Sequence, residues 1–230
     1  MKRATTRAEA FDSNDPAGAK YVENVMWEES NVLFVTPNVP GGSNNDMDVW
    51  FGLATETAAQ TQERLERTGA DLRWLDAAFE QASEDRVAAV VIVLQADMWD
   101  PEKGAAQQTG YEAIVASIAT HTHDFRKPVL MFNGDSHLYR SDNPLVQGAP
   151  CVVEPDAGGA AATCTNDDWV QHPYYDVRNF HRVVVHGSTF PLEYLRLKVQ
   201  TGDDDDRGHH TQPASTNSFG PFSWERVMPQ

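Results

Sequence analysis

The chain has 230 residues, 34 acidic against 18 basic, for a formal net charge of −16, and 40% of it is hydrophobic. That size and apolar content are enough to bury a core. The acidic balance excludes a nucleic-acid partner, because phosphate backbones are neutralised by clustered Lys and Arg. The longest apolar run, Val87 to Leu94, falls far short of the roughly 20 residues that cross a bilayer, so the expectation is a soluble protein with no membrane partner.

Residues 1–20 are polar and read as a flexible arm; the ordered domain is expected over 21–200, with a tail over 201–230. Met1-Lys2-Arg3 has the charge of a signal-peptide n-region, but Ala4 to Ala10 offers no apolar segment behind it, so no export signal is expected. Val32-Leu33-Phe34-Val35, ending at Pro37, fits a buried strand feeding a loop that runs from Asn38 to Asp46. Within that loop Gly42-Ser43-Asn44-Asn45-Asp46 reads as a solvated turn, or as a point where Asn44 and Asn45 touch substrate. Glu56 to Ala82 is helix-forming, with Leu72, Leu75, Phe79 and Ala82 at helical spacing and Gly69 as the expected break.

Ala88 to Leu94 is apolar without alternation, the signature of a strand covered on both faces, and it runs into Gln95-Ala96-Asp97. Thr109 to His123 is a second helix, its stripe made by Tyr111, Ile114, Val115 and Ile118; Pro128 to Phe132 is the next strand. That strand runs into Asn133-Gly134-Asp135-Ser136-His137. Polar residues therefore collect beyond the carboxyl ends of two buried strands, where open α/β sheets place their sites.

From 143 to 176 the composition shifts to Pro, Gly, Asp and Ala, which predicts one long loop. Cys151 and Cys164 enclose its Gly/Ala-rich part. They are either a loop-closing disulfide, which would point to an exported parent protein, or two reduced thiols. Arg182 to His186 and Glu193 to Val199 read as strands, expected to form a hairpin across Gly187 to Pro191. The acidic run Asp203 to Asp206 opens the tail, and Phe219, Phe222 and Trp224 are positioned to dock it on the body or on a partner chain.

The turn Gly134-Asp135-Ser136-His137 carries the chemistry. Its glycine permits a sharp bend that brings a carboxylate and an imidazole to one place, and both are ligands for Zn, Fe or Mn. Tyr139 and Arg140, just downstream, are candidates for holding an anionic substrate. The plain structural alternative is a turn with Asp135 as a cap and His137 on the surface. His121 and His123 end a helix, His209 and His210 lie in the tail, and His181 and His186 read as structural.

The order of these features carries a resemblance. Val32 to Thr36 is followed by Asp71-Leu72-Arg73-Trp74-Leu75-Asp76, then by Val90 to Asp97, then by Val129 to His137 with Tyr139 beyond. From about Tyr21 to Val199 this resembles the later half of the calcineurin-like metallophosphoesterases. There a strand precedes a Gln-x-x-Trp-Leu helix, a strand ending in a His ligand, and a strand ending in Gly-His-x-His.

The resemblance implies an α/β fold, a layered β-sheet sandwich with flanking helices. It also implies divalent metal ions of the Mn, Fe or Zn type, a small phosphoester substrate, and hydrolysis by a metal-bridging hydroxide. His137 matches the second His of the motif and Asp135 the first. Ala96 stands where the family has its strand-end His, which leaves Asp97 as the neighbouring donor. The family's Asp-x-His, Gly-Asp-x-x-Asp and Gly-Asn-His-Asp/Glu motifs have no counterpart here. The expectation is therefore a truncated or divergent metal-dependent phosphoesterase-like hydrolase, with Asp135, His137 and Asp97 as metal ligands and Arg140, Tyr139, Asn44 and Asn45 toward substrate. The alternative is a non-catalytic binding module that keeps the fold. An apolar surface left without its N-terminal half would favour self-association.

Overall fold

The computed structural model describes residues 5–6, 20–42, 44–100, 102–154, 160–165, 175–187, 192–200 and 217–228. In chain order the strands are β1 (Thr5–Thr6), β2 (Val25–Glu29), β3 (Val32–Thr36), β4 (Ala89–Val93), β5 (Val129–Asn133), β6 (Tyr139–Asp142), β7 (Pro150–Glu154), β8 (Ala162–Thr165), β9 (Phe180–Val184), β10 (Tyr194–Val199), β11 (Ser218–Phe219) and β12 (Phe222–Val227). Helix α1 (Ala58–Glu84) joins β3 to β4, and α2 (Glu112–Phe125) joins β4 to β5.

Nine strands form one mixed sheet in the order β1-β2-β3-β4-β5-β9-β6-β7-β8, and β10-β12-β11 form a second, antiparallel sheet. The centre of the large sheet is parallel, β3 to β4 to β5 to β9, and its two flanks are antiparallel.

Because successive side chains in a strand point to opposite faces, each central strand feeds two cores. Leu33, Val35, Val90, Ile92, Val129 and Met131 pack with Trp74, Leu75, Ala78 and Phe79 of α1 and with Ile114, Val115 and Ile118 of α2. Val32, Val91, Leu130 and Val183 pack instead with Phe219, Phe222 and Trp224 of the small sheet. The result is three layers: helices, large sheet, small sheet. No helix among the described residues is long and apolar enough to cross a membrane.

Several expectations change. The helix does not break at Gly69 but runs unbroken from Ala58 to Glu84, capped by Thr57, whose side chain accepts from the Gln60 N–H. One helical glycine costs only about 1 kcal/mol, well within what the Trp74, Leu75 and Phe79 face recovers by burial. Within the stretch read as an arm, Thr5–Thr6 adds a short strand to the open edge of β2.

The expected loop 143–176 contains β7 and β8, paired so that Cys151 faces Cys164, and a disulfide joins them. The predicted hairpin does not form. β9 is buried along its whole length and lies between β5 and β6, whereas β10 alternates between half-buried and exposed residues and pairs with β12. A strand buried on both faces needs a sheet position with neighbours on each side; an alternating one needs a single covered face. The tail aromatics Phe219, Phe222 and Trp224 are buried against the body, the first of the two placements expected for them. Asp203 to Asp206, His209 and His210 lie outside the described residues.

Candidate functional site

The parallel strands β3, β4 and β5 all end at one edge, and their following segments meet there. Gly134, just past β5, donates its N–H to the Gln95 carbonyl beyond β4 at 3.1 Å. The next residues turn sharply, with Asp135 at φ 77° and His137 at φ 62°. Asp and His enter that left-handed backbone more readily than most side-chain-bearing residues, and holding it costs on the order of 1 kcal/mol per residue.

Asp135 is held from the β3 side. The Gly42 N–H reaches both carboxylate oxygens at 3.1 Å, Gln95 Nε2 reaches Oδ1 at 3.4 Å, and Gln95 Oε1 accepts from the Gly41 N–H. A Cβ at position 41 would stand 2.3 Å from Asp135 Cγ, so only glycine permits this approach. His137 is exposed and no hydrogen bond engages its imidazole among the described residues. Its ring lies over the segment that follows β9, where a Cβ at Gly187 would come within 2.6 Å of Cδ2.

Asp97 lies inward of this turn and is only 3% exposed. Its Oδ1 accepts from Arg182 Nη1 at 2.5 Å and from the Trp99 N–H at 3.1 Å; its Oδ2 accepts from Ser136 Oγ at 2.7 Å. Arg182, fully buried on β9, also grips both oxygens of Asp142 at 2.8 Å and lies 5.3 Å from the Trp99 ring. Arg140 donates to Asp142 at 2.7 Å and reaches Cys151 Sγ at 3.6 Å. Two carboxylates and two guanidiniums thus neutralise one another below the surface. Burial works against the charge on Asp142, but Arg182 and Arg140 outweigh it and hold its carboxyl below the ordinary range. Burial likewise opposes the charge on Arg182, and Asp142 and Asp97 overcome it, keeping the guanidinium protonated.

The expected substrate contacts are placed elsewhere. Arg140 is buried in that ion cluster rather than at the edge, because Asp142 two residues on needs a second cation. Tyr139 points to the opposite face of β6, into the core shared with the small sheet, and its hydroxyl accepts from Trp224 Nε1 at 3.0 Å. Asn44 and Asn45 brace the loop after β3. The Asn44 carbonyl oxygen Oδ1 accepts from Thr109 Oγ1 at 2.7 Å and from the Gly110 N–H. Asn45 is buried, donates to Thr68 Oγ1 and the Gly110 carbonyl, and accepts from Arg67. Asn44, Asn45 and Asp46 all have positive φ, which short polar side chains tolerate. Tyr111 completes the brace by donating to the Pro40 carbonyl at 3.2 Å, and burial pushes its hydroxyl up to about 12.

Comparison of the chain with family models, with curated proteins and with solved structures finds no match. The site must therefore be judged on its donors. Among the described residues no group of three or more His, Cys, Asp or Glu side chains is placed to hold a metal ion. The turn offers one carboxylate and one imidazole, both accessible, while catalytic sites commonly use three protein ligands. Asp97 is committed to Arg182 and Ser136. One carboxylate and one imidazole are chemically suitable donors but do not make a metal site unaided.

Sequence reasoning assigned no role to Gly41, Gln95, Ser136 or Arg182. The Gly41-Gly42 pair directly after a buried strand was a usable signal of close backbone approach. Nothing in the local sequence marks Arg182, whose partners are 40 and 85 residues away.

Proposed function

We propose that the chain carries one side of a metal-assisted phosphoester-hydrolysing centre, with Asp135 and His137 as donors to a divalent ion of the Mn, Fe or Zn type. Among the described residues these two are the donors that the turn supplies. What carries the reading is the turn at the end of β5: two candidate ligands one residue apart, both held at positive φ, with the imidazole exposed and unengaged. Backbone strain of this kind concentrates at functional sites. Such an ion would supply Lewis-acid polarisation of a phosphoryl oxygen. The chain's own part is to orient the carboxylate, through the Gly42 amide and Gln95, and to present the imidazole over Gly187.

A second reading, a binding module without turnover, is favoured by the commitment of Asp97 to Arg182, which withdraws the nearest third donor. Calorimetric titration of the purified chain with Mn(II) and Zn(II), beside Asp135→Asn and His137→Ala, tests the donors. Uptake that weakens at least tenfold in both variants supports the site; equal uptake in all three proteins overturns it. Release of nitrophenol from nitrophenyl phosphate mono- and diesters by the metal-loaded chain then separates the hydrolase from the binding module.

A further inference from the structure

Ser136 sits between the two candidate donors, and its own side chain points the other way, into the protein. Its hydroxyl donates to Asp97 Oδ2 at 2.7 Å, the carboxylate that Arg182 Nη1 holds through Oδ1 at 2.5 Å. Arg182 is gripped in turn by Asp142 through two bonds of 2.8 Å, and Asp142 takes a third from Arg140 at 2.7 Å. The chain of bonds joins the segment after β4, the turn after β5, and strands β9 and β6. Asp97, Arg182 and Asp142 have side chains with no exposed area.

A buried ion cluster is an inefficient way to stabilise a core, since well-packed apolar residues of the same volume serve as well or better. What a cluster of this kind does supply is fixed direction: each guanidinium and carboxylate locks its neighbour's rotamer. Here the Ser136 hydroxyl ties the cluster to the turn, since Ser136 stands between Asp135 at φ 77° and His137 at φ 62°. A hydrogen bond to an ionised acceptor is among the stronger ones available to a serine, and it is of the same order as the cost of holding those two residues in the left-handed region. It adds an inward anchor to a turn that the Gly134–Gln95 backbone bond and the Gly42 and Gln95 contacts to Asp135 also hold.

We infer that Ser136, through Asp97 and Arg182, is a positioning residue: it sets the relative placement of the Asp135 carboxylate and the His137 imidazole for a divalent cation. The inference rests on the reading of that turn as a cation site. Arg182 acts at one remove, by pairing with Asp97 Oδ1 and so leaving Oδ2 directed at the turn.

The test compares wild-type protein with Ser136→Ala and Ser136→Thr by calorimetric titration with Zn(II), with the urea midpoint of each measured in parallel. Ser136→Thr keeps the hydroxyl and is expected to stay within about threefold of wild type. Ser136→Ala is expected to bind at least tenfold more weakly, the equivalent of losing one hydrogen bond to a charged partner. Because the comparison is between a variant with the hydroxyl and one without, a purely structural role would shift the midpoints and leave the affinities alike. Wild-type uptake matched by Ser136→Ala overturns the positioning role and leaves the cation site standing. No uptake by the wild type overturns both.

Discussion

Gly41 and Asp135 are fitted to each other so closely that a Cβ on the glycine would stand 2.3 Å from the carboxylate carbon. Residues 94 positions apart in sequence thus define one wall of the candidate site, and the carboxylate keeps its place because the backbone of Gly42 donates to it. Gly41→Ala is expected to push Asp135 out of position, lowering Zn(II) affinity at least tenfold in a titration. The overpacking should also lower stability by about 1–3 kcal/mol in urea denaturation. An alanine variant that binds and unfolds like wild type would show that the close approach is not needed.

Gly187 gives the contrasting case. Its missing Cβ faces the ring edge of His137, an exposed side chain that can swing aside. Gly187→Ala should therefore cost less than about 1 kcal/mol, as surface changes do, while weakening Zn(II) uptake. Parallel denaturation and titration of this one variant would separate placement of the imidazole from stability of the fold.

Asp97 and His137 should part company in stability. Asp97→Ala leaves Arg182 with a buried charge that Asp142 must balance while Arg140 competes for it, and breaking such pairs costs about 3–5 kcal/mol. His137→Ala removes an exposed ring and should stay within about 0.5 kcal/mol of wild type. Chemical denaturation of the two variants checks the contrast, and similar midpoints would contradict the assignment of Asp97 to the structural network.

The Cys151–Cys164 bridge clips β7 to β8 at the end of the large sheet and closes a segment with a sequence separation of 13. Cross-links over loops of this length typically stabilise by about 3 kcal/mol. The double variant Cys151→Ser/Cys164→Ser should lose about that amount and respond identically to urea with and without a dithiol. The wild-type protein should lose stability when the dithiol is added.

Acid sensitivity has a named source in His181. Its ring bonds to Ser141 Oγ at 2.9 Å, stacks on Phe219 at 5.3 Å, lies 5.5 Å from the Trp224 ring, and has Asp142 and Arg182 nearby. Burial pushes its pKa down from 6.5 to about 4; Asp142 opposes the shift and Arg182 adds to it. The folded protein therefore keeps this ring neutral while the unfolded chain takes up a proton. Stability should be unaffected above pH 6.5, fall as pH drops from 6.5 to 4, and level off below, a loss of about 3 kcal/mol from this one group. His181→Gln, which preserves a partner for Ser141, should flatten that part of the curve. A wild-type stability profile with no slope between pH 6.5 and 4 would refute the neutral buried ring.

The central strands, both helices and the turn bearing Asp135 and His137 were legible in the local sequence. Uninterrupted apolar runs at 88–94 and 128–132, each bounded by polar or turn residues, read as strands covered on both faces, and apolar residues at helical spacing read as one buried side of a helix. These are local patterns, and they also placed Asp135 and His137 past the end of a buried strand. Tertiary structure alone decided the rest. Arg140 reads locally as a phosphate-binding cation, yet Asp142 draws it inward. Tyr139 reads as a site residue, yet strand alternation turns it into the opposite core, and Asp97 becomes a structural anion only because Arg182 arrives from β9. β7 and β8 were hidden in a loop-like composition because cross-strand pairing and a disulfide, rather than apolar periodicity, hold them. A side chain's partner across the sheet is set by register between distant segments, and no residue carries that information in its own neighbourhood.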